Sequence, residues 1–343
     1  MNNSKYSFKN DYSELAAPEI LAALSTVGGK QLVPYGLDEY SIRAGDLIRA
    51  KINNKGAGVH FVGSGTHANL IVISSLLRPF EAVIAPDCGH ISLYEAGAIE
   101  ATGHKVLNVK SSDGKLTVKD VENVVGAHND EHMVSPRLVY ISQSTEHGTI
   151  YKKAELTELS NYCRENGLFL FIDGARFASA MCSPACDMSY AELAGLVDAF
   201  VMGGTKNGIL FGDAIVVCDK KLNHNFRYHI KQKGAMFAKG AAIGVQFETM
   251  IKDGLYEKFA QKANNTASLL ADGIKALGYD FLYTFETNQL FPIFPVKTLK
   301  KMQEKYEFYE WAKLGDKSAA RIIASWATPP EKAEEFLAIL KTL

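Results

Sequence analysis

Two short apolar runs, each followed by an ionisable residue, constrain the fold of this chain more than any other feature. Residues 169–172 read Phe-Leu-Phe-Ile and precede Asp173, and residues 199–202 read Ala-Phe-Val-Met and lead to Lys206. A fully buried parallel strand has this composition, and its carboxyl end borders the crevice where α/β sheets bind ligands. The chain between Asp173 and Lys206 is long enough for one helical crossover. We therefore expect both side chains at one edge of a parallel sheet.

The chemistry of this pair indicates a cofactor. Asp173 is an acceptor that can hold a cofactor's ring nitrogen protonated, and Lys206 is an amine that can form a Schiff base. Together they favour pyridoxal 5'-phosphate (PLP). The alternative is that they are two solvated charges at strand ends, an explanation that would suffice for either residue alone.

The order of the predicted elements indicates an α/β fold. Between about residues 58 and 218, apolar strands alternate with helical segments, one of them expected around 92–102. This alternation is typical of a central, mostly parallel sheet with helices on both faces. A long helical stretch with a glycine break is expected at 224–250.

The pattern changes near residue 255. A helix at 256–277 is followed by short apolar segments, one of them at 280–283, by an expected strand at 320–325, and by a last helix from Pro330. This order indicates a smaller α+β domain at the C-terminus. We predict three parts: an N-terminal segment (1–50) that packs with the small domain, a large PLP-binding domain (51–250) and the small C-terminal domain (251–343).

A glycine-rich turn is the candidate phosphate site. Gly63-Ser64-Gly65-Thr66 lies between a predicted strand and a predicted helix, where small residues, hydroxyls and free backbone N–H groups suit a phosphate. The spacing of Gly63, Gly65 and Ala68, with Asp87 further on, also fits the dinucleotide pattern of a nicotinamide-dependent oxidoreductase. That alternative leaves Asp173 and Lys206 unexplained. A tight strand-to-helix turn without a ligand is a third interpretation.

Three further residues are candidates for cofactor or substrate contacts. His90 opens a predicted helix, and its flat imidazole can stack on a pyridine ring, although alone it would be an ordinary helix-start histidine. Arg176 lies three residues after Asp173, and Arg321 begins the apolar run Ile-Ile-Ala. An arginine in either place can bind a carboxylate through two hydrogen bonds, the alternative for Arg321 being a surface salt bridge.

Composition excludes several classes of function. The formal net charge of −1 gives no electrostatic basis for binding nucleic acid or an anionic membrane surface. The N-terminus lacks an apolar core typical of a signal peptide, and no apolar run approaches the length of a membrane span. The five cysteines show neither disulfide-scaffold density nor metal-site spacing, so we expect reduced thiols, no metal and a cytoplasmic protein.

With these residues assembled, the chain resembles the L-threonine aldolase and aromatic amino acid β-eliminating lyase family of fold-type I PLP-dependent enzymes. Residues 61–70 resemble the family's Ser-Gly-Thr phosphate loop, and His90 with the segment 94–97 resembles its ring-stacking histidine segment. Asp-Gly-Ala-Arg at 173–176 is similar to the family's most specific motif. Thr205-Lys206 stands in place of its Ser-Lys motif. The resemblance implies that Ser64, Gly65, Thr66, His90, Asp173, Arg176 and Lys206 bind the cofactor.

The resemblance also implies roles for residues about which the sequence alone says little. Tyr35 resembles a tyrosine near the family's active site, His132 fits a histidine that approaches the substrate side chain, and Arg321 fits the second carboxylate-binding arginine. Three positions depart from the family: Asn10-Asp11 replaces Ser-Asp, Lys239 replaces an arginine, and Trp326 follows Arg321 in a segment where many members carry a histidine. We expect Asn10 to bind the substrate carboxylate, and Lys239 to contact the phosphate across a subunit boundary.

The expected function is PLP-dependent retro-aldol cleavage of L-threonine, or of a related β-hydroxy-α-amino acid, to glycine and an aldehyde. The candidate catalytic residues are Lys206 and Asp173, with His90, His132 or a bound water as the base. The alternatives are β-elimination or a phenylserine-type aldolase reaction on the same scaffold and, more distantly, the nicotinamide-dependent oxidoreductase. The family implies a homodimer or homotetramer with shared active sites, acting on a small amino-acid substrate.

Overall fold

A seven-stranded mixed sheet forms the centre of the molecule, for which a computed structural model describes residues 5–343. Its strands are β2 (Gly58–Val62), β3 (Glu81–Pro86), β4 (Val106–Val109), β5 (Ser135–Ser142), β6 (Phe169–Asp173), β7 (Ala199–Gly203) and β8 (Asp213–Val217). Their order in the sheet is β2-β8-β7-β6-β5-β3-β4. The pairs that involve β8 are antiparallel and the other four are parallel. The predicted central, mostly parallel sheet is confirmed.

Helices cover both faces of this sheet because alternate residues of its apolar strands point to opposite sides. In β5, Val139 belongs to one apolar core and Tyr140 to a second core on the other face. The helices of the chain are α1 (Pro18–Val27), α2 (Glu39–Lys51), α3 (Gly65–Leu76), α4 (His90–Leu93), α5 (Val118–Ala127), α6 (Lys153–Glu165), α7 (Phe177–Met181), α8 (Tyr190–Leu196), α9 (Phe226–Gln232), α10 (Ala241–Lys252), α11 (Leu255–Ala276), α12 (Val296–Gln303) and α13 (Pro330–Leu340). Within residues 5–343, none of them is long and apolar enough to cross a membrane.

A smaller sheet with its own apolar core lies in the C-terminal part of the chain. It consists of β9 (Gln289–Leu290), β10 (Ile293–Pro295), β12 (Tyr309–Leu314) and β13 (Lys317–Ile323). The sequence analysis did not predict β12, which has no apolar alternation and whose residues are largely exposed. The apolar segment at 280–283 contributes one bridge, between Phe281 and Pro292.

The helix expected at 92–102 is also shorter than predicted. Only α4 and a single 3-10 turn at Glu100–Thr102 form there, because Ala96 and Gly97 both adopt positive φ angles of 51° and 74° and interrupt the helix. The stretch at 224–250 is divided into α9 and α10 around Gly234, with a φ of 76°.

The N-terminal segment contacts both parts of the molecule. Strand β1 (Tyr6–Ser7) pairs in parallel with β11 (Tyr306–Glu307) next to the small core. Ile20 of α1 and Ile48 of α2 are instead buried in the core of the large sheet. The domain boundaries at residues 50 and 250 stay a prediction.

Close contact between β6 and β7 brings the two sequence motifs together. Gly174 follows Asp173, and its carbonyl accepts a 3.0 Å hydrogen bond from the backbone N–H of Gly203. A Cβ atom at Gly174 would lie only 1.8 Å from the carbonyl oxygen of Val201. Only glycine allows the two chains to approach so closely, and this approach sets the distance between the ends of β6 and β7.

Replacing Gly174 with alanine is therefore expected to separate β6 from β7. The substitution should lower the free energy of unfolding by about 3 kcal/mol, because the added methyl group meets rigid backbone. Gly126→Ala in α5 is the control, since a Cβ there meets no atom within 4 Å; it should raise the free energy by about 0.5–1 kcal/mol. Urea unfolding of both variants measures these changes, and a Gly174→Ala protein as stable as the wild type would contradict this packing argument.

Candidate active site

A cavity of about 600 Å³ opens at the carboxyl ends of β5, β6 and β7, within the size range of small-molecule and cofactor sites. The large sheet and its loops supply most of the lining, and β12 and β13 of the small sheet supply the rest. The polar and charged residues that line the cavity are Ser64, Thr66, Asn69, His90, Tyr94, Ser142, Ser144, Glu146, Asp173, Arg176, Thr205, Lys206, Asp213, Tyr309, Glu310 and Arg321. The cavity therefore contains both members of the pair predicted from the sequence.

Lys206 follows β7 and lies half-buried in this cavity. Within residues 5–343, its Nζ atom has no hydrogen-bond or ion-pair partner under normal distance criteria. Burial and the positive charge of Arg176 lower the pKa of Lys206 to about 8, against the opposing effect of Asp11 and Asp173. An accessible amine with a lowered pKa is available to react with a carbonyl group.

Asp173 ends β6, and its buried carboxylate accepts three hydrogen bonds. Oδ2 accepts from the Tyr140 hydroxyl at 2.8 Å and from Asn69 Nδ2 at 2.9 Å, and Oδ1 accepts from the backbone N–H of Ala175 at 2.9 Å. These donors come from β5, from α3 and from the turn after β6. They fix the carboxylate at the edge of the cavity, where it can pair with a protonated ring nitrogen.

A buried glutamate links this carboxylate to His90. Asn69 Nδ2 also donates to Glu95 Oε1 at 2.6 Å, and the same oxygen lies 2.8 Å from His90 Nδ1. The hydrogen bond with Glu95 raises the pKa of His90 above its ordinary value, although burial opposes this effect. Because Glu95 holds one ring nitrogen, the imidazole has a fixed position in the cavity wall, as a ring-stacking role requires.

The N-terminus of α3 forms the anion-binding end of the cavity. Ser64 is the N-cap residue and accepts a 3.3 Å hydrogen bond from the backbone N–H of His67, while Ser64, Gly65 and Thr66 all line the cavity. A 12-residue helix places unpaired N–H groups and the positive end of its dipole here. These groups fit a phosphate.

Asp213 lies close to this end, and the sequence analysis did not identify it. Its Oδ1 accepts from the backbone N–H of Gly204 at 2.8 Å, and burial raises the pKa of Asp213 to about 6. The carboxyl group thereby holds the turn that carries Lys206.

Two arginines line the cavity: Arg176 is paired with a carboxylate, and Arg321 keeps an unpaired donor. Arg176 forms a two-point ion pair with buried Asp11, at 2.7 Å from Nε to Oδ2 and 3.0 Å from Nη2 to Oδ1. Burial alone would raise the pKa of Asp11, but the charges of Arg176 and Lys206 outweigh it and lower that pKa. Asn288 supports the pair with a 2.9 Å hydrogen bond to Asp11.

Arg321, on β13, retains free hydrogen-bond donors. Its Nη2 donates to Gln289 at 2.8 Å, and its guanidinium lies 5.3 Å from the ring centre of Trp311. Burial and the charge of Arg176 lower the pKa of Arg321 to about 10. Its Nε atom is buried and has no hydrogen-bond partner within residues 5–343. An incoming carboxylate would satisfy this donor.

Four residues expected in the site lie outside this cavity. His132 is exposed on the loop between α5 and β5, where its N–H donates to Asp130, so this structure does not bring it to the substrate as the resemblance implied. Tyr35 lines a separate cavity next to Arg227 and Phe237. Asn10 stabilises its own turn, with Oδ1 accepting from Tyr12 and Ser13.

Lys239 is exposed and lines neither cavity of its own chain. Its expected contact across a subunit boundary stays a prediction.

The residues that the sequence analysis missed include Asp11, Asn69, Glu95, Tyr140, Glu146 and Asp213. Asp213 directly precedes the apolar run of β8, and an antiparallel strand begins at the edge of the sheet where its parallel neighbours end, so this position was the available signal. Asp11, Asn69 and Glu95 lie in segments that carry the family resemblance, but the sequence analysis assigned none of them a role. No group of three or more metal-binding side chains occurs in the described part of the chain.

Comparisons with known proteins agree with this geometry. The sequence profile of the family described as beta-eliminating lyase matches residues 24–294. A low specificity L-threonine aldolase from Pseudomonas sp. is 31% identical, with 100% of this chain and 99% of the relative covered. The enzyme of the same name from Pseudomonas aeruginosa is 30% identical, covering 98% of this chain and 97% of the relative.

A solved structure of a Leishmania major threonine aldolase superposes with a TM-score of 0.97 at 43% identity, covering 98% of this chain and 99% of that chain. A structure from Exiguobacterium, described as a putative aromatic amino acid beta-eliminating lyase/threonine aldolase, has a TM-score of 0.73 at 17% identity, which reflects the shared fold alone. The resemblance inferred from the sequence motifs is thereby confirmed, and the chain belongs to the beta-eliminating lyase family.

Proposed function

We propose that this protein is a PLP-dependent carbon–carbon lyase that cleaves L-threonine, or a closely related β-hydroxy-α-amino acid, to glycine and an aldehyde. One observation carries the proposal: the unpaired amine of Lys206 shares a cavity with the hydrogen-bonded carboxylate of Asp173. The names of the similar proteins, three of them threonine aldolases, support the reaction.

The residues of the cavity fit the cofactor. Ser64, Gly65 and Thr66 at the start of α3 would hold its phosphate, Asp173 its ring nitrogen, and Lys206 its aldehyde carbon. His90, fixed by Glu95, would lie against the ring. When bound, PLP supplies an electron-accepting ring that stabilises the charge left on Cα after the Cα–Cβ bond breaks.

The arginines would orient the substrate. Arg321 has an unpaired buried donor, and Arg176 is held by Asp11, so both guanidinium groups keep fixed positions before a substrate binds. A carboxylate held by two arginines has a defined orientation about Cα, which selects the bond that breaks. Removing Arg321 should therefore weaken binding of every amino acid that carries a free carboxylate.

A larger substrate is a second candidate. Tyr94, Tyr309 and Trp311 line the same cavity, and aromatic walls suit a phenyl substituent at Cβ. A phenylserine-type substrate would release benzaldehyde in place of acetaldehyde. A β-elimination would instead release a keto acid and ammonia, so analysis of the products separates the three reactions.

The nicotinamide alternative has less support. Asp87, its expected ribose partner, does not line the cavity and accepts a 3.1 Å hydrogen bond from the backbone N–H of Ser111. That alternative also gives no role to Lys206.

We further propose a homodimer or homotetramer in the cytoplasm. Large apolar side chains are exposed on and around the loop before α2, among them Val33, Tyr35, Leu37 and Ile42. A second copy of the chain would bury them. All five cysteines are free thiols, which is consistent with a reducing compartment.

The reaction is tested by incubating purified protein with PLP and L-threonine. The wild type is expected to release equal amounts of acetaldehyde and glycine, and Lys206→Ala is expected to release neither and to lose the absorbance of covalently bound PLP. Lys55→Ala is the control, because Lys55 is an exposed lysine that lines neither cavity. Aldehyde release by Lys206→Ala at the wild-type rate would contradict the assignment.

Asp11→Asn tests the ion pair that orients Arg176. Breaking a buried pair should cost about 3–5 kcal/mol of folding free energy at neutral pH and raise the KM for threonine. Because the pKa of Asp11 is lowered in the folded protein, the extra stability of the wild type is present above the ordinary aspartate pKa. It should disappear as the pH falls through the lowered value.

Denaturant unfolding of both proteins from neutral to acidic pH measures this difference. Glu122→Gln, which breaks an exposed pair with Lys119, is the control and should change neither stability nor KM. A stability difference that persists unchanged into strong acid would contradict the role of the Asp11 charge.

A further inference from the structure

The carboxyl group of Glu146 lines the cavity beside Asp173. Glu146 lies in the loop after β5, four residues beyond Ser142, which is the register partner of Asp173. Its Oε1 accepts from the Ser142 hydroxyl at 2.8 Å and from the backbone N–H of His90 at 3.0 Å. These two donors fix the direction of the carboxyl group.

The second oxygen of Glu146 is left free. Oε2 has almost no exposed surface and no hydrogen-bond partner within residues 5–343, although the residue lines the cavity. A buried carboxylate oxygen without a donor costs folding free energy. A ligand hydroxyl that donates to Oε2 would remove this cost, so the free acceptor indicates where such a hydroxyl binds.

The other carboxyl groups of the cavity and His90 already have hydrogen-bond partners. Asp173 accepts three hydrogen bonds, Asp213 holds the backbone of the turn after β7, and the Nδ1 atom of His90 is bonded to Glu95. Glu310 accepts from Ser318 on the neighbouring strand. Glu146 is the carboxyl group in the described part of the cavity that combines a fixed direction with a buried, unpaired oxygen.

We propose that Glu146 is the base that takes the proton from the β-hydroxyl of the substrate, an inference that rests on the proposed function. The O–H bond of the hydroxyl breaks and its proton moves to Oε2, while the C–O bond becomes the C=O bond of the aldehyde. The Cα–Cβ bond breaks and its electron pair stays with the Cα side. One proton from solvent completes glycine at Cα, and Glu146 releases one proton to solvent, so the reaction is balanced.

The surroundings of Glu146 favour this task. Burial and the negative charge of Asp173 raise the pKa of Glu146 above its ordinary value, and the hydrogen bond from Ser142 opposes the increase. A carboxylate with a raised pKa is a stronger base. The charge of Glu146 also contributes to raising the pKa values of Tyr140, Tyr151 and Cys88, and burial raises all three further, so these groups stay protonated.

The test compares Glu146→Gln and Glu146→Leu with the wild type, all loaded with PLP. Glutamine can still accept a hydrogen bond but cannot take the proton, so kcat for threonine cleavage should fall by about 10²–10⁴-fold with little change in KM. Glycine binding, followed by cofactor absorbance, and exchange of the glycine α-proton with D₂O should stay close to wild type, because neither needs a base at a β-hydroxyl.

A binding comparison gives a readout that does not depend on turnover. The affinity for L-threonine relative to L-2-aminobutyrate, which lacks the hydroxyl, should be kept in Glu146→Gln and should fall by about tenfold in Glu146→Leu. Glu81→Gln is the matched control. This glutamate is also buried, but it lies at the start of β3, away from the cavity, and its carboxylate accepts a hydrogen bond from the backbone N–H of Arg78. It should change none of these quantities.

Two results would overturn the proposal. One is a Glu146→Gln protein that cleaves threonine at the wild-type rate. The other is a variant in which glycine binding and α-proton exchange are lost together with cleavage, since that pattern means a structural role. If the wild type itself releases no aldehyde, the proposed function fails, and the threonine-to-aminobutyrate comparison alone then decides whether Glu146 receives a substrate hydroxyl.

Discussion

The hydrogen bonds to the Asp173 carboxylate are the interaction on which the site depends. A buried negative charge is tolerated only when donors surround it, and here the donors come from separate elements: Tyr140 from β5, Asn69 from α3 and the backbone of the turn after β6. Asn69 also reaches Glu95, which holds His90. One carboxylate thus positions the anion-binding helix, the neighbouring strand and the stacking ring relative to each other.

The opposite side of the cavity depends on a balance of charges. Lys206, Arg176 and Arg321 line the same cavity, and the positive charge of Arg176 contributes to lowering the pKa of both Lys206 and Arg321. Asp11, from the N-terminal segment, partly neutralises this positive charge by pairing with Arg176. An anionic substrate would complete this compensation by accepting hydrogen bonds from the free donors of Arg321.

The sequence predicted the site residues that lie at or just after the carboxyl ends of buried strands. Asp173, Lys206 and Arg176 were identified because buried parallel strands are apolar runs whose carboxyl ends meet at one edge. Glu146 was missed because it lies in an irregular loop without periodicity. Strand β12 was missed because both of its faces are polar or exposed, although its Trp311 contacts Arg321. His132, placed by resemblance alone, lies on an exposed loop.

The central claim is that Lys206 is the residue that carries the cofactor, and chemical trapping tests it most directly. Borohydride reduction of the PLP-loaded protein fixes a covalently bound cofactor to its lysine, and peptide mapping by mass spectrometry then locates it. We predict a pyridoxyl group on Lys206 and on no other lysine. A group found on a different lysine, such as exposed Lys239, or no attached group in a protein that is saturated with PLP, would contradict it.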